Sequence, residues 1–302
     1  MLKIICWGSR GSIPVSGPGY ARHGGATTCL EIRPINDDGD DGASPILIDC
    51  GSGLAEFARR SGSGCRSALF LQTHMHWDHL QGFPFFSPLF NGEANFRFLS
   101  ARREGRSLQE ALSAQMSRPF FPVALGDLGA ELRFETIPAS GSREIDGGAV
   151  YWAEMCHPSG STAYRIDCGE RSVVFSGDVE VQLGGRDELI ELSEGADLLI
   201  MDAQYLPDEY DARRGFGHST PVDAVDVAIA AGVKQLLMTH HDPNHDDRRL
   251  DEKLKIAKEY AARRGALDLE VGNARDGLEI LLGGAPASEK EAAVADGQAT
   301  AG

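Results

Sequence analysis

Short apolar segments alternate along this chain with longer segments whose apolar residues recur at helical spacing. Short apolar or alternating runs predict strands at 2–7, 28–32, 45–49, 68–73, 96–99, 132–137, 150–155, 163–166, 173–176, 198–202 and 235–239. Apolar residues three or four positions apart predict helices at 53–61, 108–116, 187–194, 221–231 and 250–264. Strands that alternate with helices in this way are typical of the α/β class.

The composition changes near residue 283. Residues 1–282 contain all of the predicted strands and helices, so a single domain is predicted there. The remaining stretch, 283–302, is rich in Ala, Gly and Glu. Such a segment cannot bury enough apolar surface to offset the entropy of ordering, so it is predicted to be a disordered tail.

The charge balance narrows the choice of partners. The chain has 45 acidic and 29 basic side chains and a formal net charge of −16. Proteins that grip long nucleic acids normally need a basic patch to displace the counterions of the phosphates, so a long nucleic acid is a poor partner. A small anionic substrate is compatible with the acidity, because metal ions in a pocket reverse the local field.

The cysteines and the first residues indicate a cytoplasmic protein. Six cysteines are scattered along the chain without a CxxC pair, which predicts reduced thiols rather than a disulfide framework. The start, 1–7, has the pattern of a strand and not of a signal peptide. No apolar run reaches the roughly 18 residues that a membrane span needs, so no membrane partner is expected.

The strongest chemical signal follows the predicted strand 68–73. His74, His76, Asp78 and His79 place three imidazoles and one carboxylate within six residues. Residues two apart share a face of an extended chain, so His74 and His76 can reach one ion, and the next pair can reach a second. Without a metal, four such side chains at the end of a buried strand would be a costly cluster. The donors suit zinc, with manganese or iron as alternatives.

The spacing His74-x-His76-x-Asp78-His79 resembles the HxHxDH signature of the metallo-β-lactamase superfamily. The resemblance covers roughly residues 1–282 and implies a four-layered αβ/βα sandwich with two metal ions at the strand ends. It also implies three further ligands, each directly after a strand. The candidates are His157, Asp178 and His240.

The resemblance also implies how the ligands divide between the two ions. The first ion would be bound by His74, His76 and His157, and the second by Asp78, His79 and His240, with Asp178 bridging both. His241 is an alternative to His240. Adjacent residues of a strand point to opposite faces, so only one of the two should ligate. We favour His240, because it follows the predicted strand immediately.

A second motif, Gly217-His218-Ser219-Thr220, precedes a predicted helix. Thr220 is a good N-cap and Pro221 a good first helical residue, so His218 lies before a helix N-terminus, where anions are favoured. The segment resembles the GHST motif of the RNase Z-like phosphodiesterases. That likeness implies that His218 contacts the scissile phosphate as general acid, with Asp78 orienting or deprotonating the nucleophile, in an enzyme that is a homodimer.

The start of the chain refines the resemblance. The predicted first strand opens into the Gly/Ser loop Trp7-Gly8-Ser9-Arg10-Gly11-Ser12-Ile13-Pro14, which can present backbone N–H groups to a phosphate. Together with 24–29, 202–205 and 240–243, this loop resembles the small-substrate phosphodiesterases, which include cyclic-nucleotide phosphodiesterases and anti-Pycsar enzymes. His23 and Ala26 depart from the pattern of that branch, which puts details of the substrate loop in doubt.

The implied reaction is the hydrolysis of small phosphodiesters, foremost 3′,5′-cyclic nucleotides, to linear nucleoside monophosphates. RNase Z carries a long arm that grips tRNA between its third ligand and its bridging Asp. Here Asp178 lies only 21 positions after His157, which leaves no room for an arm. Rings that could stack on a base follow the metal motif, although core or dimer-interface positions are the favoured interpretation for them. These residues are Phe83, Phe85, Phe86 and Phe121.

Other functions remain open on the sequence alone. An RNase Z-like nuclease acting on RNA 3′ ends would use the same site chemistry. A lactonase, a thioesterase or a β-lactamase would share the fold, but the GHST segment that contains His218 argues against these hydrolases. A sensor or scaffold that is merely stabilised by metal would have no need of His218.

Overall fold

The computed structural model describes residues 1–35, 44–61 and 64–283. The strands are β1 (Leu2–Gly8), β2 (Cys29–Pro34), β3 (Ile46–Ile48), β4 (Ser67–Gln72), β5 (Asn95–Ala101), β6 (Glu131–Ile137), β7 (Gly141–Ile145), β8 (Gly148–Met155), β9 (Ser161–Cys168), β10 (Arg171–Phe175), β11 (Leu198–Asp202), β12 (Gln235–Thr239), β13 (Glu270–Asn273) and β14 (Leu278–Leu282). The α-helices are α1 (Gly53–Ser61), α2 (Leu108–Gln115), α3 (Arg186–Ser193), α4 (Pro207–Tyr210), α5 (Pro221–Ala231) and α6 (Asp247–Arg263).

The strands form two seven-stranded sheets. The first has the order β14-β1-β2-β3-β4-β5-β6, and the second has the order β13-β12-β11-β10-β9-β8-β7. In the first sheet β3 to β6 are parallel, and in the second β10 to β13 are parallel. The antiparallel pairs β8–β9 and β9–β10 make β8 run in the same direction as β10. The carboxyl ends of β8, β10, β11 and β12 therefore meet at one edge of the second sheet.

Three apolar clusters divide the molecule into layers. The central cluster lies between the sheets and joins residues such as Ile4 from the first to Val173 from the second. One outer cluster packs the first sheet against α1 and α2, with Phe57 and Leu112 buried. The other packs the second sheet against α3, α5 and α6, with Val227 among its buried residues. This arrangement is the predicted four-layered αβ/βα sandwich, which is confirmed.

Every predicted strand and helix is present, with ends that differ by at most three residues. The hydrophobic pattern did not predict β7, β13, β14 or the short helix α4. The three missed strands all lie at sheet edges. β7 and β13 each contain a single large apolar residue, so their sequences lack the apolar run that identifies an inner strand. β14 has four apolar residues in five positions and was missed although it has such a run.

The predicted tail and the expected absence of a membrane span are the two remaining points of the fold. The predicted tail 283–302 lies outside the described residues, apart from Gly283. Among the described helices, none combines the length and the apolar character that crossing a bilayer requires.

Candidate metal centre

The candidate ligands lie where strands of both sheets end. Within the first sheet, β4 ends at Gln72, and the segment from His74 to a 3₁₀ turn at Trp77–His79 follows it. In the second sheet, His157 follows β8 and Asp178 follows β10. The two sheets thus bring to one place residues that are far apart in sequence.

The first cluster consists of His74, His76 and His157. Their ligand-type atoms all lie within 4.8 Å of one another. His157 Nε2 is 3.1 Å from His76 Nδ1. The Nδ1 atom of His157 donates to the Gly217 carbonyl at 2.8 Å, so its Nε2 lone pair is directed into the cluster.

The second cluster consists of Asp78, His79, Asp178 and His240, again with ligand-type atoms within 4.8 Å. Asp178 Oδ2 lies 3.3 Å from His79 Nε2 and 3.2 Å from His240 Nε2. The same oxygen is 3.5 Å from His74 Nε2 in the first cluster. Asp178 therefore lies between the clusters, where a bridging ligand would lie.

A buried carboxylate, that of Asp49, orients His79 of the motif at 74–79. Asp49 Oδ2 accepts from His79 Nδ1 at 2.7 Å, which leaves His79 Nε2 directed at the second cluster. The Asp49 side chain also accepts from the backbone and the hydroxyl of Thr73 and from the amide of Gln72. Sequence reasoning missed this residue. Its signal was an acidic residue directly after β3, the neighbour of β4 in the sheet.

His218 lies beside the second cluster and forms, with Asp178, Asp202 and His240, a further group whose ligand-type atoms lie within 4.8 Å of one another. Its ring stacks on His240 with centroids 4.7 Å apart and an interplanar angle of 20°. His218 Nδ1 donates to Asp202 Oδ2 at 2.8 Å, and Asp202 ends β11. The carboxylate therefore fixes the orientation of the His218 ring.

Burial and neighbouring charges act differently on the two clusters. Burial holds the pKa of His74 well below its usual range and lowers the pKa of His157 to about 4. These rings are therefore neutral, the form in which imidazole binds a metal. Burial also acts to lower the pKa of His240, but the carboxylates of Asp178, Asp78 and Asp202 together outweigh burial and raise this pKa to about 9. The second cluster, rich in carboxylates, thus attracts positive charge.

The two clusters fit a dinuclear metal site. Their donors are imidazole nitrogens and carboxylate oxygens, which zinc and related ions prefer. His74 Nε2 and Asp178 Oδ1 are buried and have no hydrogen-bond partner in the described part of the chain. An unpaired buried polar atom costs free energy, and coordination to a cation removes that cost.

The comparison with protein families agrees with this geometry. Residues 45–241 match the family described as Beta-lactamase superfamily domain. The chain belongs to the metallo-β-lactamase superfamily. Its sequence relatives include the Ribonuclease Z of Ignicoccus hospitalis, 41% identical over 270 residues that cover 72% of this chain and 85% of that protein. The Ribonuclease Z of Haloarcula marismortui is 26% identical over 293 residues, covering 81% and 88%. The chain is therefore a hydrolase of the RNase Z-like branch.

Solved structures of this superfamily share the fold. The metallo-β-lactamase fold protein YhfI from Bacillus subtilis superposes with a TM-score of 0.69 at 20% identity, covering 93% of this chain and all of that one. The short form of human tRNase Z gives a TM-score of 0.64 at 19% identity, covering 92% and 98%. At these identities the likeness shows the metallo-β-lactamase fold alone.

The choice between the two last histidines follows from their surroundings. His240 lies in the second cluster, with Nε2 3.2 Å from Asp78 Oδ2. His241 points away from it: its Nε2 is 3.0 Å from the Ala274 carbonyl, and its Nδ1 is 3.5 Å from Lys253 Nζ. The geometry therefore favours His240, as the strand alternation predicts.

The Gly/Ser loop after β1 does not have its predicted role. The N–H groups of residues 9–11 and 13 donate to backbone carbonyls, and the Ser12 N–H donates to Asp78 Oδ2 at 2.7 Å. The expectation that this loop presents free N–H groups to a phosphate is wrong. The loop instead packs against the candidate metal centre, at Asp78 and His240. A Cβ on Gly11 would lie 2.3 Å from the His240 ring, so the backbone must approach closely there.

The aromatic residues after the metal motif divide into two groups. Phe83 and Phe86 are fully buried in the outer core, so they cannot stack on a base. Phe85 and Phe121 meet edge to face with centroids 5.9 Å apart. They line an exposed groove together with Trp77, and the side chains lining this groove are uncharged.

Proposed function

We propose that this protein is a metal-dependent phosphodiesterase that hydrolyses small phosphodiesters, foremost 3′,5′-cyclic nucleotides, to linear monophosphates. The observation that carries the proposal is the pair His218–Asp202, hydrogen-bonded at 2.8 Å, which places an acid next to the second ligand cluster. Phosphodiester cleavage needs this acid, because an alkoxide leaves the phosphorus.

The proposed ligand set has seven side chains. His74, His76 and His157 would hold the first ion, Asp78, His79 and His240 would hold the second, and Asp178, which lies between the two clusters, would be shared by both. The donor chemistry favours zinc, with manganese or iron(II) as alternatives. Bound there, the two ions supply charge neutralisation for the phosphate and activation of a water molecule.

The residues of the chain have distinct roles in the proposed reaction. Asp78, whose Oδ2 accepts from the Ser12 backbone at 2.7 Å, orients the attacking water at the second cluster. His218 gives a proton from Nε2 to the leaving ribose oxygen. Asp202 accepts a hydrogen bond from His218 Nδ1 and holds the ring in one orientation during the transfer. The oxygen of the attacking water forms a new bond to phosphorus, and Asp78 is the acceptor for the proton that this water loses. The phosphorus–oxygen bond to the leaving group breaks, and that oxygen becomes a hydroxyl with the proton from His218.

A small substrate suits the surroundings of the site. Most of the 20 residues between His157 and Asp178 belong to the β9–β10 hairpin, whose register runs from Arg171 paired with Cys168 to Phe175 paired with Tyr164. No RNA-gripping arm is present in that described segment. The net charge of −16 also opposes binding of a long polyanion.

A substrate panel tests the proposal. Metal-loaded protein is incubated with cyclic AMP, cyclic CMP, cyclic UMP, bis-p-nitrophenyl phosphate and a precursor tRNA, and products are identified by mass. We expect linear mononucleotides from at least one cyclic nucleotide, and release of p-nitrophenol. Absence of turnover on every phosphodiester, with metal bound, would overturn the proposal.

A second candidate function is an RNase Z-like nuclease acting on RNA 3′ ends. The names of the relatives from Ignicoccus hospitalis and Haloarcula marismortui favour it, since both are Ribonuclease Z. The same panel separates the two candidates. Cleavage of precursor tRNA at a rate above that of every cyclic nucleotide would establish the nuclease instead.

We further propose a homodimer in solution, with the groove of Trp77, Phe85 and Phe121 as the contact between copies. Trp77 is 73% exposed and Phe85 64% exposed. The groove lining is uncharged in a chain whose net charge is −16, so two copies can meet there with little repulsion. Light scattering after gel filtration at micromolar concentration should give twice the mass of one chain. A single-chain mass would remove the dimer.

Residues 1–282 are proposed as the catalytic domain. In the first sheet Leu2 of β1 pairs with Leu282 of β14, so the two ends of this range are hydrogen-bonded neighbours. A chain truncated after Leu282 should keep wild-type metal content and turnover. Loss of both on truncation would show that the domain extends further.

A cytoplasmic location is proposed as well. The six cysteines are all free thiols, and five of them are buried. Free thiols persist in a reducing compartment. Fractionation of cells that express a tagged full-length chain should recover it with cytoplasmic markers, and recovery with secreted proteins would contradict the proposal.

A further inference from the structure

The segment after β10 carries a buried carboxylate that the proposed chemistry does not use. Glu180 is only 1% exposed and follows the bridging Asp178 by two residues. Its Oε1 accepts from the Tyr210 hydroxyl at 2.6 Å, and its Oε2 accepts from the Gly217 N–H at 2.8 Å. The Gly215 N–H donates to the same carboxylate at 2.8 Å. A buried charge is tolerated when its oxygens are bonded in this way.

These bonds fix the loop that leads to His218. Residues 211–216 between α4 and Gly217 are mostly exposed, so apolar packing contributes little to holding them. The Glu180 carboxylate instead ties down three points of the segment 210–217. This segment, which we call the acid loop, ends directly before His218.

The acid loop also contacts a proposed metal ligand. The Gly217 carbonyl accepts from His157 Nδ1 at 2.8 Å, while the N–H of the same residue donates to Glu180. Gly217 has φ of +93°, and a Cβ there would lie 2.1 Å from His157 Nδ1. The backbone is therefore pressed against the imidazole, and a shift of the loop would change the direction of His157 Nε2.

The backbone of residues 179 and 180 is also hydrogen-bonded to the segments that contain His157 and His218. The Glu180 N–H donates to the Cys156 carbonyl at 2.9 Å, directly before His157. On the other side, Ser219 Oγ donates to the Val179 carbonyl at 2.6 Å, directly after His218. Glu180 is thus at the centre of a network that joins the segments of His157, Asp178 and His218.

We infer that Glu180 is a positioning residue that sets the orientation of His157 and His218 through the acid loop. The inference rests on the proposed ligand set and not on the proposed substrate. Partners of metal-bound histidines typically change metal affinity about 10- to 100-fold when they are mutated. Glu180 acts one step further back, through the carbonyl that receives the His157 proton.

The test variant is Glu180→Gln. Its amide keeps one acceptor oxygen and turns an NH₂ group towards a backbone N–H, so at least one bond of the acid loop is lost. The matched control is Glu188→Gln, which removes the same charge from an exposed position on α3. Tyr210→Phe removes one donor to Glu180 and leaves the carboxylate in place.

Two measurements on the full chain decide the matter. Competition between protein and a chelator for Zn²⁺ gives the affinity of each ion, and limited trypsin digestion after Arg213 and Arg214 reports on order in the acid loop. For Glu180→Gln we expect about 10-fold weaker binding of one ion, unchanged binding of the other and faster cleavage. A purely structural role would weaken both ions together and lower the unfolding temperature of the metal-free protein.

The outcomes separate the inference from the ligand set beneath it. If the wild-type chain binds no Zn²⁺, the ligand set is wrong. If it binds two ions and Glu180→Gln matches Glu188→Gln in both measurements, the positioning role is wrong. Should Glu180→Gln fail to fold, Tyr210→Phe decides: faster cleavage with weaker binding of one ion supports the role, and wild-type values in both overturn it.

Discussion

The two halves of the metal centre are built in different ways. The first sheet contributes four of the proposed ligands from one stretch of six residues, 74–79, which follows a single strand. The second sheet contributes His157, Asp178 and His240 from the ends of three separate strands, β8, β10 and β12. The first half is local in sequence, whereas the second exists only because strands of the same direction end at the same edge.

The support of the two halves differs in the same way. In the first, Asp49 directly hydrogen-bonds the ligand His79, and it also accepts from Gln72 at the end of β4 and from the following Thr73. In the second, His157 is oriented by a loop carbonyl that is itself held by Glu180. A compact motif needs one buried carboxylate behind it. Ligands drawn from distant strands need loops that are fixed to one another.

The largest effect is expected where the two halves meet, at Asp178→Asn. Asp178 Oδ2 is close to His74 of the first cluster and to His240 of the second, so the loss of its charge affects both. Since even supporting residues cost about 10- to 100-fold, a shared ligand should cost more than about 100-fold in turnover. Elemental analysis should find fewer than two ions. The exposed Asp187→Asn is the matched control; two tightly bound ions in Asp178→Asn would contradict the bridging position.

This asymmetry also explains what could be predicted from the sequence. Alternation of apolar runs located the inner strands, and the spacing of His74, His76, Asp78 and His79 identified one half of the site without further help. His157, Asp178 and His240 are weak signals individually, and only the family resemblance selects them. Glu180 gives no signal at all in sequence, because its role depends on a loop 30 residues further on, at Tyr210.

The Gly/Ser loop illustrates the limit of local reasoning. A strand that opens into glycine and serine residues is compatible with a phosphate cradle. Its N–H groups are instead taken by carbonyls and by Asp78, and Gly11 is needed because His240 occupies the space of a side chain. Which partner a backbone donor finds is decided by segments more than two hundred residues away, such as the one that ends at His241.

The next largest effect is expected at His218, where a mutation should lower turnover without removing metal. His218 belongs to the second half but pairs with Asp202 and not with the shared Asp178. His218→Ala should keep both ions and lower kcat for phosphodiesters by about 10²- to 10⁴-fold, the usual contribution of a general acid. Substrates with an acidic leaving group, such as p-nitrophenol, should lose less. Unchanged turnover with full metal content would remove His218 from the mechanism.

A smaller effect is expected at Asp49, which hydrogen-bonds the proposed ligand His79. Asp49→Asn keeps the shape of the side chain but removes the charge that accepts from His79 Nδ1 at 2.7 Å. We expect the ion of the second cluster to bind about 10- to 100-fold more weakly. Chelator competition measures this affinity, with the ion of the first cluster as internal reference. Equal losses at both ions would mean that Asp49 supports the fold of the motif and not His79 in particular.

The smallest effect is expected at a buried lysine on α6, a helix that packs against the second sheet. It concerns the pH dependence of stability, and metal binding should not change. Lys253 of α6 is fully buried and donates to the carbonyls of Ala203 and Gln204 at 2.6 and 3.1 Å. Burial lowers its pKa to about 7, against the opposing influence of Asp202. The unfolded chain, with a lysine pKa of about 10.4, then binds more protons than the folded one between about pH 7 and pH 10.

The sign of this proton uptake fixes the expected pH dependence. Where the unfolded state binds more protons, stability rises with pH, so Lys253 makes folding more favourable as the pH increases from about 7 to about 10. Lys253→Met should abolish that rise, while the exposed Lys255→Met keeps it. Urea unfolding at several pH values measures how the free energy of unfolding changes with pH. This slope is compared apart from the pH-independent loss of stability that results from leaving two carbonyls without a donor. Identical slopes for both variants would mean that Lys253 titrates normally in the fold, and metal content should be unchanged in both.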